Sequence, residues 1–127
     1  MLRFLLVCLG GAVGTGARYL LGGWIQRSSE SAFPYGTLAV NVLGSFLLGL
    51  IMHVALTTNA ISPTLRLSLT TGGMGGFTTY STFNYETMER LREGAWGLAG
   101  LNVAATLGAC LIAGLLGVAI GRAWVGT

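Results

Sequence analysis

The sequence contains no lysine, no aspartate, one histidine, two prolines and two cysteines, and only 9% of its 127 residues are charged. A soluble domain usually carries about 25% charged residues. With 53% hydrophobic residues, the composition excludes that class and implies a single integral membrane domain over residues 1–127, held in the lipid bilayer. The net charge of +3 is spread over scattered arginines, which does not suit nucleic-acid binding. Cys8 and Cys110 fall inside apolar segments and read as small buried residues rather than a disulfide. No Cys/His spacing suggests a metal centre, and no nucleophile–base pair suggests an enzyme. No acidic residue falls in the middle of an apolar run, which argues against a proton-coupled cation exporter.

Charged positions divide the chain. Residues 31–65, 67–85 and 94–121 are free of charge, whereas only residues 4–17 separate Arg3 from Arg18. A spanning helix needs about 20 mostly apolar residues. Four transmembrane helices are therefore expected at about 4–24, 36–56, 66–92 and 95–121. The N-terminal segment has the outline of a signal peptide, but no A-x-A-like site follows, so it reads as a retained first helix. To cross, that helix must run past Arg18, which then lies near or within the bilayer. An intramembrane arginine either serves a site or pairing partner, or reaches back to the interface. Trp24, Trp96 and Trp124 fall near span ends, as interfacial anchors do.

The most informative run is Gly72-Gly73-Met74-Gly75-Gly76-Phe77-Thr78-Thr79-Tyr80-Ser81-Thr82-Phe83. Residues 67–85 hold four glycines, five threonines and two serines. Each interior glycine costs a helix about 1 kcal/mol relative to alanine. Unwound backbone survives at bilayer depth only where protein or a watery cavity surrounds it. The third helix is thus expected to break near residues 75–79 and to face an ion or solute pathway. Freed carbonyls would suit a cation; amides, hydroxyls and aromatic ring edges would suit an anion. Tyr80 and Phe83, three residues apart, share a helix face.

Other helices carry polar stripes. Asn41, Ser45, Gly49 and His53 share one face of the second, where Asn41 is either interhelical glue or a pore-lining donor. His53 reads as an interfacial side chain. Asn102, Thr106 and Cys110 recur every four residues on the fourth, a track that suits pathway lining or helix contact. In the first, Gly10 and Gly14 read as close-packing positions. Glu86, Glu89 and Glu93 lie at or beyond the end of the third span. With four spans, Arg3, Arg66 and Arg122 share one side, and Arg18, Arg27, Arg90 and Arg92 the other. So little bias permits insertion in both orientations. Two oppositely oriented copies would then form an antiparallel homodimer.

These residues resemble the fluoride channels called Fluc or CrcB. The resemblance covers nearly the whole chain. It rests on Gly10-Gly11-Ala12-Val13-Gly14 with Arg18, on Pro34 to Gly44 (PYGTLAVNVLG), and above all on Gly75 to Phe83 (GGFTTYSTF) with Glu86. It implies a dual-topology, antiparallel homodimer in the bacterial inner membrane that lets fluoride leave the cell passively. It also implies a structural Na+ at the dimer interface, held by backbone carbonyls of Gly75 and Thr78 from each copy. The implied fluoride pathway comprises Asn41, Tyr80, Phe83, Thr106 and Cys110, with Arg18, Thr37 and Glu86 at its mouth. Tyr80 stands where the family has phenylalanine, and Cys110 where serine is expected. The rivals are a small dual-topology multidrug-type carrier, which should carry a membrane-embedded glutamate, and a non-transporting scaffold, which leaves the Gly/Thr run without a purpose.

Overall fold

The computed structural model describes residues 1–126, and among these every regular element is helical. Helix α1 runs Leu2–Ser29 and α2 runs Tyr35–Thr57. A composite third crossing follows: α3 (Pro63–Leu67), a π-helical segment (Ser68–Met74), α4 (Gly75–Phe77) and α5 (Tyr80–Arg92). Helix α6 runs Trp96–Val125.

Local chemistry sets the ends. Glu30, with φ 49°, turns the chain after α1, and Arg27 in the last turn suits the negative end of that helix. Ser62 caps α3 by accepting from the Leu65 amide at 3.1 Å, with Pro63 at the first helical position. Gly94 (φ 77°) follows α5. Helices α1 and α6 extend beyond the expected 4–24 and 95–121. Their terminal arginines, Arg27 and Arg122, sit in last turns, where positive charge favours the helix instead of ending it.

Helices α1, α2 and α6 are each long and apolar enough to cross a membrane. The third crossing is not, because it is split at Thr78 and Thr79. Thr78 (φ −88°, ψ 158°) and Thr79 (φ −149°, ψ 119°) are extended. The interruption thus falls on two threonines, whereas Gly72, Gly73, Gly75 and Gly76 remain helical. Those glycines serve packing. A methyl on Gly72 would collide with the Val7 region of α1 and one on Gly76 with the Gly11 carbonyl; reciprocally, one on Gly14 would strike the Gly73 carbonyl. Two backbones approach where side chains would hold them apart.

The interior is thin. Phe33, Val40, Phe77, Phe83, Ala99 and Asn102 are buried, while α1 and α6 leave large apolar side chains such as Leu9, Val13, Leu107, Leu111 and Leu115 exposed on the single chain. This is a multi-pass membrane protein. Helices α2 and α6 pack along their length. At one end His53 Nε2 lies 2.7 Å from the Gly126 carbonyl, tying α2 to the end of α6.

Candidate ion pathway around the helix break

A broken helix exposes amides and carbonyls that an unbroken one would pair. In a continuous helix the Thr79 amide would donate to the Gly75 carbonyl. Here it donates to Asn41 Oδ1 at 2.7 Å, and Asn41 Nδ2 donates back to the Thr79 carbonyl at 3.1 Å. The Asn41 side chain, buried on α2, therefore acts as a surrogate peptide that holds Thr79 extended. The Gly76 carbonyl accepts from Arg18 Nε at 3.0 Å. Arg18 is half-buried and pairs with the break. Thr78 Oγ1 donates to the Met74 carbonyl at 2.8 Å. Thr79 Oγ1 accepts from the Thr82 amide at 3.2 Å and so caps α5.

Two consequences follow for ions. The positive end of α5 lies at the break, with its first amides lacking intrahelical partners. The carbonyl of Gly75 has lost the Thr79 amide to Asn41, and Gly75 is exposed on the single chain. Together with the Thr78 carbonyl it offers neutral oxygens of the kind a hard cation prefers. One chain supplies two such oxygens. Among the described residues no cluster of three or more His, Cys, Asp or Glu side chains could hold a metal ion.

A cavity of about 250 Å³ opens beside the break. Asn41, Tyr80, Phe83, Thr106 and Cys110 all line it. Phe83 is buried, but Tyr80 is 74% exposed, with its ring 5.7 Å from that of Phe83 and tilted by 56°. The two rings sit on one face of α5, yet the tyrosine projects away from the rest of the chain.

A second cleft, of about 280 Å³, is lined by Arg18, Thr37, Thr79, Thr82 and Glu86, among others. It reaches the same break, since Thr79 borders both spaces. Thr37 Oγ1 donates to Glu86 Oε2 at 3.0 Å, whereas Glu86 Oε1 is buried without a hydrogen-bond partner. An arginine and a carboxylate thus face one cleft without pairing directly.

Two residues that sequence reasoning left out of the site brace it. Asn102 is 1% exposed, so it does not line the pathway. Its Nδ2 donates to Thr87 Oγ1 at 3.0 Å, and Thr87 Oγ1 donates to the Phe83 carbonyl at 2.8 Å. The Thr106 hydroxyl reaches Asn102 Oδ1 only at a long 3.4 Å. This chain fixes α5, with its rings, against α6. The four-residue stripe at Asn102 suited pathway lining or helix contact, and the structure gives the contact, but the stripe did not single out Thr87 as the partner. Gln26 is the other. Its amide bonds the loop between α1 and α2 twice and the first turn of α2 once, and nothing in its spacing signals that.

Comparison with known proteins bears on what passes. Residues 5–118 match the family model described as CrcB-like protein, Camphor Resistance (CrcB). A protein of Sorangium cellulosum named fluoride-specific ion channel FluC is 56% identical over 122 residues, covering 96% of each chain. An Anaeromyxobacter protein of that name is 54% identical, covering 89% of this chain and 90% of the relative. One from Geobacter sulfurreducens is 50% identical, covering 96% and 98%.

Proposed function

The chain belongs to the CrcB family, and from that premise we propose that it is a fluoride-selective channel, not an enzyme, that releases fluoride passively across the bacterial inner membrane. The observation that carries this reading is the single cavity bordered by Asn41, Tyr80, Phe83, Thr106 and Cys110 beside the break. None of these residues is an arginine, lysine, aspartate or glutamate.

Fluoride must shed water to pass, and selectivity depends on what replaces it. Asn41 uses one amide hydrogen on Thr79 and keeps a second that can face the ion. The Thr106 hydroxyl is held only loosely by Asn102 and can turn to donate. Phe83 and Tyr80 offer the positive edges of their rings, and the amide end of α5 adds a fixed positive potential. Cys110 contributes a weak S–H donor. Arg18 at the mouth raises the local anion concentration. Thr37 occupies one Glu86 oxygen there, which blunts the repulsion of an arriving anion. Outward flow needs no coupled ion: a membrane potential of 100 mV is worth about 2.3 kcal/mol per charge.

The working unit in this reading is an antiparallel homodimer. The near-equal arginine counts on the two sides permit both orientations. A second copy would cover exposed Tyr80 and the apolar faces of α1 and α6. Gly75 and Thr78 carbonyls from the two copies would hold a structural Na+, whose charge would offset four carbonyl dipoles and fasten the copies together.

The test is efflux from liposomes loaded with fluoride or chloride, started by a potassium ionophore. Fluoride release with chloride retained is the expected result. Equal release of both ions refutes selectivity, and release of neither refutes channel function.

A further inference from the structure

We propose that Gln26 is a positioning residue for the mouth of the pathway, acting through Thr37 on Glu86. The inference rests on the reading of the Arg18–Glu86 cleft as that mouth. Gln26 sits in the last turns of α1, and its amide bonds the following loop through one end and the start of α2 through the other. Its Nε2 donates to the Ser31 carbonyl at 2.9 Å and to the Phe33 carbonyl at 3.1 Å. Its Oε1 accepts from the Gly36 amide at 3.0 Å. That amide belongs to the first turn of α2 and has no intrahelical partner.

The three bonds together require an amide, which both donates and accepts. A carboxylate cannot donate to two carbonyls, and an apolar chain can do neither job. Gly36 is buried and pressed against α1, where a methyl would strike the Gly22 carbonyl. So Gln26 fixes the start of α2 against α1 at close approach. The next residue, Thr37, donates to Glu86 Oε2 on α5. Arg90, one turn further along α5, donates to the Ala32 carbonyl at 2.9 Å and holds the loop from the other side. Gln26, Thr37 and Glu86 also border the same cleft. The amide therefore sets where the Thr37 hydroxyl stands relative to Glu86, and with it how strongly the carboxylate faces the cleft.

The test pairs Gln26→Met with Thr37→Val in the full-length protein. Gln26→Met alone should slow fluoride efflux by about fivefold, the factor that one lost hydrogen bond is worth. In the Thr37→Val background it should slow efflux no further, because the partner it acts through is gone. Hydrogen exchange of the peptide spanning residues 33–38 should quicken in Gln26→Met and not in Thr37→Val. Gln26→Glu, which retains the acceptor for Gly36, serves as the second variant and should slow efflux while exchanging less than Gln26→Met. Multiplying effects in the double variant, or wild-type efflux and exchange in Gln26→Met, would overturn the proposal. So would failure of both Gln26 variants to assemble, which would make the residue a folding requirement. If the wild-type protein passes no fluoride, the channel reading fails by itself, and the exchange experiment still decides whether Gln26 anchors α2.

Discussion

Replacing Asn41 with leucine should destabilise the protein as well as stop fluoride. The side chain makes two hydrogen bonds to the Thr79 backbone, at 2.7 and 3.1 Å, in a half-buried setting. Leucine matches asparagine roughly in size but leaves the Thr79 amide and carbonyl without partners. Each orphaned backbone group costs about 1–3 kcal/mol, which gives about 2–6 kcal/mol in all. Hydrogen bonds inside membrane proteins average only about 0.6 kcal/mol, so two set a floor near 1 kcal/mol. Asn41→Asp retains the acceptor for the Thr79 amide and loses the donor, so it should fall between the wild-type protein and Asn41→Leu. Equilibrium unfolding in mixed micelles measures the loss, and liposome efflux measures conduction on the same preparations. If Asn41→Leu unfolds within about 0.5 kcal/mol of wild type, the range of a neutral surface change, while losing efflux, Asn41 serves the ion alone. The clamp on the break would then be wrong.

Three further outcomes are expected. Gly14→Ala should cost about 1–3 kcal/mol by overpacking against the Gly73 carbonyl, whereas Gly16→Ala, with nothing within 4 Å, should be neutral or stabilising by up to about 1 kcal/mol; micelle unfolding of the two separates contact from propensity. Asn102→Leu should lower stability by about 1 kcal/mol and slow efflux, because Thr87 then no longer links α5 to α6, and unchanged values in both assays would remove the brace. Tyr80→Phe should leave stability within about 0.5 kcal/mol, since the ring lies 74% exposed on the chain, and should retain fluoride efflux; abolished efflux would place the hydroxyl in the pathway.

Much of this arrangement was legible in the residues because the bilayer allows few solutions. Long charge-free runs locate the helices, and a Gly/Thr-rich run in one of them announces an interruption. Where that interruption falls was less legible. Glycine favours unwinding and close packing alike, and here packing prevails: Gly72 and Gly76 let α1 approach, so the chain stays helical until Thr78. Thr79 opens because Asn41, 38 residues away, offers a better partner than the Gly75 carbonyl. No local pattern encodes that choice. Asn41 was readable as a buried amide in need of partners, but not as a clamp on the break. The same limit hid Gln26 and the partner of Asn102. Their hydrogen bonds reach backbone or hydroxyls on other elements, and only the packing of those elements brings them within range.

The most direct test of the central claim is the reversal potential of single channels in a planar bilayer, with fluoride tenfold more concentrated on one side and chloride equal on both. A pathway built from neutral donors and ring edges that admits fluoride alone should reverse at about 59 mV in magnitude, the value for a tenfold gradient of a monovalent ion. Reversal near zero would mean that chloride shares the pathway, and the account of selectivity would fail.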